Sequence, residues 1–269
     1  MADRYAVVGN PVHHSLSPRI HTAFAKQTGQ DIEYGTLLAP IGGFRAVVER
    51  FRTEGGRGLN VTVPFKLDAF ALATALTERA QSAGAVNTLK FDGREALGDN
   101  TDGAGLIADI ARLGISLGGK RILLMGAGGA ARGVALPLLE QKPALLAIAN
   151  RTVQKAVALA DHWASRGAIR GGAYQDFAGE RFDLVINATS ASLHGDVPPL
   201  PDSAFASATL AYDMVYGDRA TPFLAAAKSC GVAHLADGLG MLIAQAAESF
   251  YLWRGVRPDT MPVIEMFRR

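Results

Sequence analysis

The chain has 269 residues, of which 49% are hydrophobic and 19% are charged, and its formal net charge is +2. This length predicts one large domain or two ordinary domains with a full hydrophobic core. The small net charge excludes a protein that binds polyanions over its whole surface, so we expect no nucleic-acid partner.

Several simple features bound the compartment and the cofactors. The sequence contains no apolar run of the length that a membrane span needs, and residues 1–5 lead directly into an apolar run instead of a signal peptide. The single cysteine, Cys230, excludes an intramolecular disulfide and is typical of a reducing compartment, so we expect a cytoplasmic protein without a membrane partner. The six histidines lack metal-ligand spacing, and we expect no metal.

Two serines stand near the first predicted helix. Residues 5–8 have the pattern of a buried strand, and Pro18 suits the first turn of the helix that follows. Ser17 could simply cap that helix. Ser15 has no such explanation, and two hydroxyls on one turn could together hold a carboxylate.

A lysine and an aspartate follow in positions that suit acid–base chemistry. Residues 59–63 alternate as a strand with Asn60 and Thr62 on one face, and Pro64 suits the start of the next helix. Lys66 then lies in a first turn, where the helix dipole disfavours an ammonium group. Asp102 precedes another helical segment. A solvated surface lysine and an N-capping aspartate are the alternatives.

A glycine-rich turn joins a buried strand to a helix in the middle of the chain. After the apolar residues 122–125, Gly126, Gly128 and Ala131 form the pattern G-x-G-x-x-A, and residues 130–140 favour a helix. The first glycine permits a tight turn, the second lets a pyrophosphate approach the backbone, and the alanine lets the helix pack closely. The pattern predicts dinucleotide binding, with a plain packing turn as the alternative.

The next strand indicates which dinucleotide binds. Residues 145–149 are almost wholly apolar, as in a parallel sheet that is buried on both faces. Asn150, Arg151, Thr152 and Lys155 follow, where an NAD site carries an acidic residue. These side chains suit a 2′-phosphate, which favours NADP over NAD. A basic helix start without a ligand is the alternative.

Later residues lie where ligands of such sheets bind, past the carboxyl ends of strands. Thr189, Met214 and Tyr216 follow two further predicted strands, although Met214 could equally fill the core. Gly238 and Gly240 predict a hinge or a backbone approach to a ligand before the last long helix. Gln245 is polar among apolar residues of that helix and could face a ligand or solvent.

Taken together, these motifs resemble the shikimate dehydrogenase family over nearly the full length of the chain. The motifs are residues 9–11 with 15–18, 60–66, 84–88, 98–103, 126–130, 150–152, 187–190 and 237–241. The resemblance implies a two-domain α/β fold. Residues 1–102 and 238–269 would form an N-terminal α/β substrate domain, and residues 103–237 a Rossmann-type NADP domain with a doubly wound parallel sheet.

The resemblance also implies the reaction: NADPH-dependent, reversible reduction of 3-dehydroshikimate to shikimate, toward chorismate and the aromatic amino acids. It implies Lys66 and Asp102 as the acid–base pair. The implied substrate ligands are Ser15, Ser17 and Tyr216 for the carboxylate, Asn60, Thr62, Asn87, Asp102 and Gln245 for the ring hydroxyls, and Lys66. The implied NADP(H) ligands are Gly126, Ala127, Gly128, Gly129, Ala130, Asn150, Arg151, Thr152, Lys155, Thr189, Met214, Gly238 and Met241.

Two other functions remain open from the sequence. One is a related dehydrogenase that also accepts quinate or NAD, and the other is a non-catalytic NADP-binding sensor. We expect a monomer or a homodimer in either case.

Overall fold

A computed structural model describes residues 2–217 and 219–268 of the chain; Met1 and Arg269, the outer bounds of the predicted domains, lie outside this part. The chain divides into two compact units. One contains residues 1–105 and 242–269, and the other contains residues 106–241. The transitions fall three to four residues after the predicted boundaries at 102/103 and 237/238, inside the helices that begin at Asp102 and Leu239.

The first unit is built from alternating strands and helices, followed by a hairpin. Its elements in chain order are β1 (Asp3–Gly9), α1 (Ser17–Thr28), β2 (Ile32–Leu38), α2 (Phe44–Thr53), β3 (Gly56–Val61), α3 (Lys66–Leu72), β4 (Ala75–Leu76), α4 (Glu78–Ala83), β5 (Thr88–Asp92) and β6 (Glu95–Asp99). The strands form one mixed sheet in the order β2-β1-β3-β5-β6-β4. The β5–β6 hairpin makes the antiparallel part of that sheet.

The second unit has a wholly parallel sheet. After α5 (Asp102–Arg112) come β7 (Arg121–Met125), α6 (Gly129–Glu140), β8 (Leu145–Ala149), α7 (Val153–Trp163), β9 (Ile169–Gly172), β10 (Leu184–Asn187), β11 (Leu210–Asp213), α8 (Pro222–Ser229) and β12 (His234–Ala236). The order β12-β11-β10-β7-β8-β9 corresponds to the doubly wound nucleotide-binding sheet, with β7 as its first strand. The Rossmann-type prediction is therefore confirmed.

Two helices complete the chain, α9 (Leu239–Arg254) and α10 (Met261–Arg268). Among the described residues, no helix combines the length and apolar composition that crossing a membrane requires.

The hydrophobic core of the second unit surrounds its parallel sheet on both sides. Ile122 and Leu124 of β7 point to one side of the sheet, and Leu123 and Met125 point to the other. All four are fully buried, because each face of the sheet is covered. This arrangement leaves the carboxyl ends of the strands as the places where loops, and the side chains they carry, emerge.

Some predicted boundaries differ from the structure. The strand predicted over residues 59–63 ends at Val61, so Thr62 and Val63 lie in the loop before α3. The motif at residues 84–88 is divided between two elements, because Gly84 adopts a left-handed conformation that ends α4 and Thr88 begins β5. In both cases a turn takes residues whose side chains are compatible with a strand.

Candidate active site

Lys66 and Asp102 lie in direct contact in the first unit. The Lys66 Nζ atom donates to Asp102 Oδ2 at 2.5 Å. Lys66 is the first residue of α3, as predicted from Pro64, and its side chain is about one-quarter exposed. Asp102 is the first residue of α5 and not its cap, so the N-capping alternative is wrong. The Asn100 side chain instead accepts from the Asp102 backbone N–H.

Asn87 holds the other oxygen of the same carboxylate. Its Nδ2 atom donates to Asp102 Oδ1 at 2.8 Å and to Thr101 Oγ1 at 2.9 Å. Its Oδ1 atom accepts from the Thr101 backbone N–H at 2.9 Å. Gln245 joins this group because its Oε1 atom accepts from Thr101 Oγ1 at 3.1 Å. The structure thus brings Lys66, Asn87, Asp102 and Gln245 into one hydrogen-bonded cluster.

Asn60 lies at the centre of the buried network that continues from this cluster. Its Oδ1 atom accepts from the Tyr34 hydroxyl at 2.7 Å and lies 3.1 Å from His21 Nε2. Its Nδ2 atom donates to Ser249 Oγ at 2.9 Å and to Thr88 Oγ1 at 3.2 Å. Every hydrogen-bonding position of this amide is therefore used within the protein.

His21 and Tyr34 form a stacked pair beside Asn60. Their ring centroids are 4.2 Å apart and their planes differ by 5°. Burial lowers the pKa of His21 to about 3, although its hydrogen bond to Asn60 opposes the shift. His21 is therefore neutral, and its Nε2–H donates to Asn60 Oδ1. Its Nδ1 atom has no hydrogen-bond partner among the described residues.

The two serines occupy the turn into α1, but their roles differ from the simplest expectation. Ser17 is the first helical residue and Leu16 is the cap, so the capping alternative for Ser17 is wrong. The Ser15 hydroxyl accepts from the Ser17 backbone N–H at 3.3 Å. Burial raises the pKa of Tyr34 well above its usual range, and a hydrogen bond with the Ser17 side chain opposes this shift. Ser17 thereby borders the network around Asn60.

Thr62 and Tyr216 are the other two predicted substrate residues. Thr62 follows β3, and its methyl group packs against Gly9, where a Cβ atom would lie only 2.4 Å from Thr62 Cγ2. Tyr216 follows β11 in the second unit, and burial raises its pKa. Their contribution to substrate binding stays a prediction.

The glycine-rich turn of the second unit has the conformation that its sequence predicts. Gly126 has φ +106°, and a Cβ atom there would lie 3.1 Å from the Ala188 carbonyl oxygen. Gly128 caps the 12-residue helix α6, and a Cβ atom there would meet nothing within 4 Å. Ala131 is fully buried in the core. The first peptide N–H groups of α6 thus adjoin open space, which suits an anion.

The basic residues after β8 are available to a ligand. Arg151, Thr152 and Lys155 are exposed, and Thr152 precedes α7. Asn150 Nδ2 donates to the Thr152 carbonyl oxygen at 2.9 Å, which holds this turn closed. Burial raises the pKa of Tyr174, and the positive charge of nearby Arg151 opposes that shift. No acidic side chain occupies this stretch of sequence, so it is suited to a 2′-phosphate.

Asp213 organises the loops at the ends of β10 and β11. Its carboxylate accepts from Asn187 Nδ2, Ser192 Oγ, Thr221 Oγ1 and the Val215 backbone N–H, over distances of 2.6–3.1 Å. Thr189 Oγ1 donates to Asn187 Oδ1 at 2.7 Å. These bonds fix the loops that carry Thr189, Met214 and Tyr216.

The last two predicted cofactor residues pack within the protein. A Cβ atom on Gly238 would lie 2.2 Å from the Met214 carbonyl oxygen, so this glycine permits a close approach within the chain. The predicted approach to a ligand stays a prediction. Met241 is buried in the core of the second unit. Sequence reasoning missed several residues of both networks: His21, Tyr34, Thr88, Thr101, Ser249 and Asp213. Only their polarity within apolar segments could have indicated them.

Comparisons with known proteins decide the family. Residues 7–89 match the family model described as the shikimate dehydrogenase substrate binding domain. Residues 109–194 match the model for shikimate/quinate 5-dehydrogenase, and residues 238–265 match the model for the shikimate 5′-dehydrogenase C-terminal domain. A protein of Nitrosospira multiformis named shikimate dehydrogenase (NADP(+)) is 62% identical, over 100% of this chain and 98% of that protein. The chain belongs to the shikimate dehydrogenase family.

Solved structures of related proteins agree. The shikimate 5-dehydrogenase of Thermus thermophilus, solved in complex with NADP(H) and shikimate, has a TM-score of 0.89 and 35% identity, covering 99% of each chain. The structure of an Ael1 enzyme from Pseudomonas putida has a TM-score of 0.94 and 50% identity, covering 98% of each chain. The two-domain α/β fold expected of a shikimate dehydrogenase is therefore confirmed.

Proposed function

We propose that this chain catalyses the NADPH-dependent, reversible reduction of 3-dehydroshikimate to shikimate, on the route to chorismate and the aromatic amino acids. The observation that carries the proposal is the contact between Lys66 Nζ and Asp102 Oδ2 at 2.5 Å. It lies in the unit whose sequence matches the substrate-binding domain of the family. A partly exposed ammonium group held by a largely buried carboxylate suits proton transfer at a substrate oxygen.

The chemistry of Lys66 follows from where charge develops. Reduction of the C3 carbonyl places negative charge on its oxygen, and an ammonium group can both stabilise that charge and donate the proton. Asp102 holds the Lys66 Nζ atom from one side, and Asn87 orients Asp102 from the other. In the reverse direction neutral Lys66 accepts the proton of the C3 hydroxyl.

The remaining substrate ligands are assigned from the family motifs. In this proposal Ser15, Ser17 and Tyr216 bind the substrate carboxylate. Asn60, Thr62, Asn87 and Gln245, with Asp102, contact the ring hydroxyls. Asn60 and Asn87 already use their amides within the protein, so any direct bond to substrate replaces or shares an existing one.

The second unit offers a fitting place for NADPH, which supplies the hydride when it is bound. Residues 126–130 would hold the pyrophosphate, because an absent Cβ atom at Gly128 leaves open space beside the start of α6. Asn150, Arg151, Thr152 and Lys155 would hold the 2′-phosphate, Arg151 through its planar fork of donors. Thr189, Met214, Gly238 and Met241 complete the proposed set, although Gly238 and Met241 also have packing roles.

One assay tests the proposed function. Purified protein is mixed with shikimate and NADP⁺, and the appearance of NADPH absorbance is followed. We expect turnover with this pair, and much slower turnover when quinate replaces shikimate or NAD⁺ replaces NADP⁺. Equal rates with NAD⁺ would contradict the role of Arg151, and no turnover with shikimate would contradict the function.

The proposal also includes the compartment, the partners and the oligomeric state of the protein. We expect a cytoplasmic enzyme with no nucleic-acid partner, present as a monomer or homodimer. Light scattering coupled to size-exclusion chromatography measures the oligomeric state, and cell fractionation measures the compartment.

A further inference from the structure

Thr88 is a fully buried threonine at the start of β5 that touches three parts of the site network. Its hydroxyl oxygen lies 2.9 Å from Asn87 Oδ1, 3.2 Å from Asn60 Nδ2 and 2.7 Å from Ser249 Oγ. None of the roles assigned above falls on Thr88. Its hydroxyl nevertheless contacts the side chains of both Asn60 and Asn87.

The neighbouring groups determine which way the Thr88 hydroxyl points. Asn87 Oδ1 accepts from the Thr101 backbone N–H, so that atom of the amide is the oxygen. The Thr88 hydroxyl must therefore donate to Asn87 Oδ1. Its oxygen is left to accept from Asn60 Nδ2 and from Ser249.

The bonds on either side of Thr88 run in the same direction. The Tyr34 hydroxyl and the neutral His21 ring both donate to Asn60 Oδ1. Asn60 donates to Thr88, Thr88 donates to Asn87, and Asn87 donates to Asp102 Oδ1. Each donor thus points toward Asp102, whose second oxygen accepts from Lys66. Aligned hydrogen bonds in a buried site polarise and strengthen one another.

We propose that Thr88 is a positioning residue for this reaction. Its hydroxyl is a second donor to Asn87 Oδ1, beside the Thr101 backbone N–H, and helps to hold the amide with an N–H group and not a carbonyl oxygen against Asp102. A reversed Asn87 amide would place two acceptors against each other and would displace the carboxylate that holds Lys66. This inference rests on the proposed function, because it gives Thr88 a purpose only if Lys66 and Asp102 act on the substrate.

The experiment compares Thr88→Val, which keeps the shape and removes the hydroxyl, with Thr88→Ser, which keeps the hydroxyl. We expect Thr88→Val to lower kcat for 3-dehydroshikimate reduction about five-fold or more, in line with the loss of one buried hydrogen bond to a site amide. The Kd for NADPH should not change, because that site lies in the other unit. Thr88→Ser should restore kcat to within about two-fold of the wild type.

Three further variants separate positioning from stability. Thr74→Val removes a hydroxyl in the same unit that accepts from the Ala96 backbone N–H, away from the site network, and should leave kcat unchanged. Ser249→Ala removes a hydroxyl that contacts Thr88 Oγ1 and accepts from Asn60 Nδ2, but it keeps the Thr88–Asn87 bond. It should lower kcat less than Thr88→Val does. Thr88→Ala, which also removes the hydroxyl, provides the test if Thr88→Val does not fold.

The outcomes distinguish this inference from the function on which it rests. An active wild type with unchanged kcat in Thr88→Val would overturn the inference alone, as would failure of Thr88→Ser to restore kcat. If Thr88→Val does not fold, unchanged kcat in Thr88→Ala overturns it. A wild type that does not reduce 3-dehydroshikimate overturns the proposed function and, with it, the role of Thr88.

Discussion

In the first unit the polar side chains around the proposed substrate residues are buried and hydrogen-bonded to one another. In the second unit the polar side chains around the proposed cofactor residues form two groups, one buried and one exposed. Asn60, Asn87 and Asp102 belong to a single network with few unused hydrogen-bonding positions. Asp213 builds a comparable buried support behind the loops of the second unit. Arg151 and Lys155, however, lie exposed, and their side chains have no such hydrogen-bonded support from the residues that the structure describes.

This difference separates two ways of preparing a site. A saturated buried network fixes its groups before any ligand arrives, and it loses stability when one member is removed, because the partners are left buried without a bond. Exposed cationic side chains contribute little to the free energy of unfolding, so their removal changes stability little. They nevertheless add affinity when an anion binds. Substitutions in the first unit should therefore affect folding and chemistry together, and those at the exposed positions should affect cofactor choice alone.

The largest expected effect on kcat comes from Lys66→Ala. Lys66 lies at the partly exposed edge of the buried network. General acid–base help contributes about 10²- to 10⁴-fold, so kcat should fall by about that factor. The Kd for NADPH, measured by fluorescence titration, should stay unchanged. Lys26→Ala removes an exposed lysine from α1 and serves as the control. Near-wild-type turnover in Lys66→Ala would contradict the role assigned to Lys66, whereas a wild type without turnover would favour the non-catalytic sensor.

A large pH effect on stability should come from His21. The pKa of this ring is about 3 in the folded protein against 6.5 as its ordinary value, so between these values the unfolded chain binds a proton that the folded chain does not. The free energy of unfolding therefore falls as the pH falls from 6.5 toward 3, by up to about 1.4 kcal/mol per pH unit. The stability from this group is complete above pH 6.5.

His21→Phe tests that slope, because a phenyl ring can keep the stacking on Tyr34 and cannot be protonated. Urea unfolding at several pH values should give a shallower loss of stability in the variant than in the wild type. His234→Gln, at an exposed position, should leave the slope as it is. Equal slopes in His21→Phe and wild type would mean that the buried network does not keep His21 neutral.

Much of the fold of the second unit could be predicted from the sequence. The apolar run at residues 145–149 predicted β8 with the bounds that the structure has. The pattern at Gly126 predicted a strand, a tight turn and a helix, and all three are present. These features depend on local periodicity and backbone sterics, which a sequence displays directly.

The buried hydrogen bonds of the first unit could not be predicted from the sequence in the same way. Ser249 and Asn60 are 189 residues apart in the chain, and their hydrogen bond exists only because the last long helix packs against β3 in this unit. A lone serine in an apolar helix has no local pattern that distinguishes it from an ordinary core residue. Ser17 illustrates a second limit, because the choice between Leu16 and Ser17 as the cap depends on backbone angles that neither side chain determines.

At the exposed positions of the second unit, Arg151→Ala should raise the Kd for NADPH by about 10- to 100-fold, as expected for charged hydrogen bonds to a phosphate. The Kd for NADH should change little, because NADH has no 2′-phosphate. The free energy of unfolding should stay within about 0.5 kcal/mol of the wild type. Arg166→Ala removes an exposed arginine of the same unit that pairs with Glu140, and is the control. A parallel loss of NADPH and NADH affinity would contradict the assignment.

The smallest effect on stability should come from a glycine in the same unit, and a second glycine provides the contrast. Gly128→Ala adds a methyl group that meets nothing within 4 Å, at a φ of −84° that any residue adopts. Its free energy of unfolding should stay within about 0.5 kcal/mol of the wild type, while the Kd for NADPH rises because the methyl group occupies the space proposed for the pyrophosphate.

Gly238→Ala places its methyl carbon 2.2 Å from the Met214 carbonyl oxygen and should cost about 1–3 kcal/mol of stability. Urea unfolding and NADPH titration of both variants therefore separate a glycine kept for the ligand from one kept for packing. Unchanged NADPH affinity in a stable Gly128→Ala protein would contradict the pyrophosphate assignment.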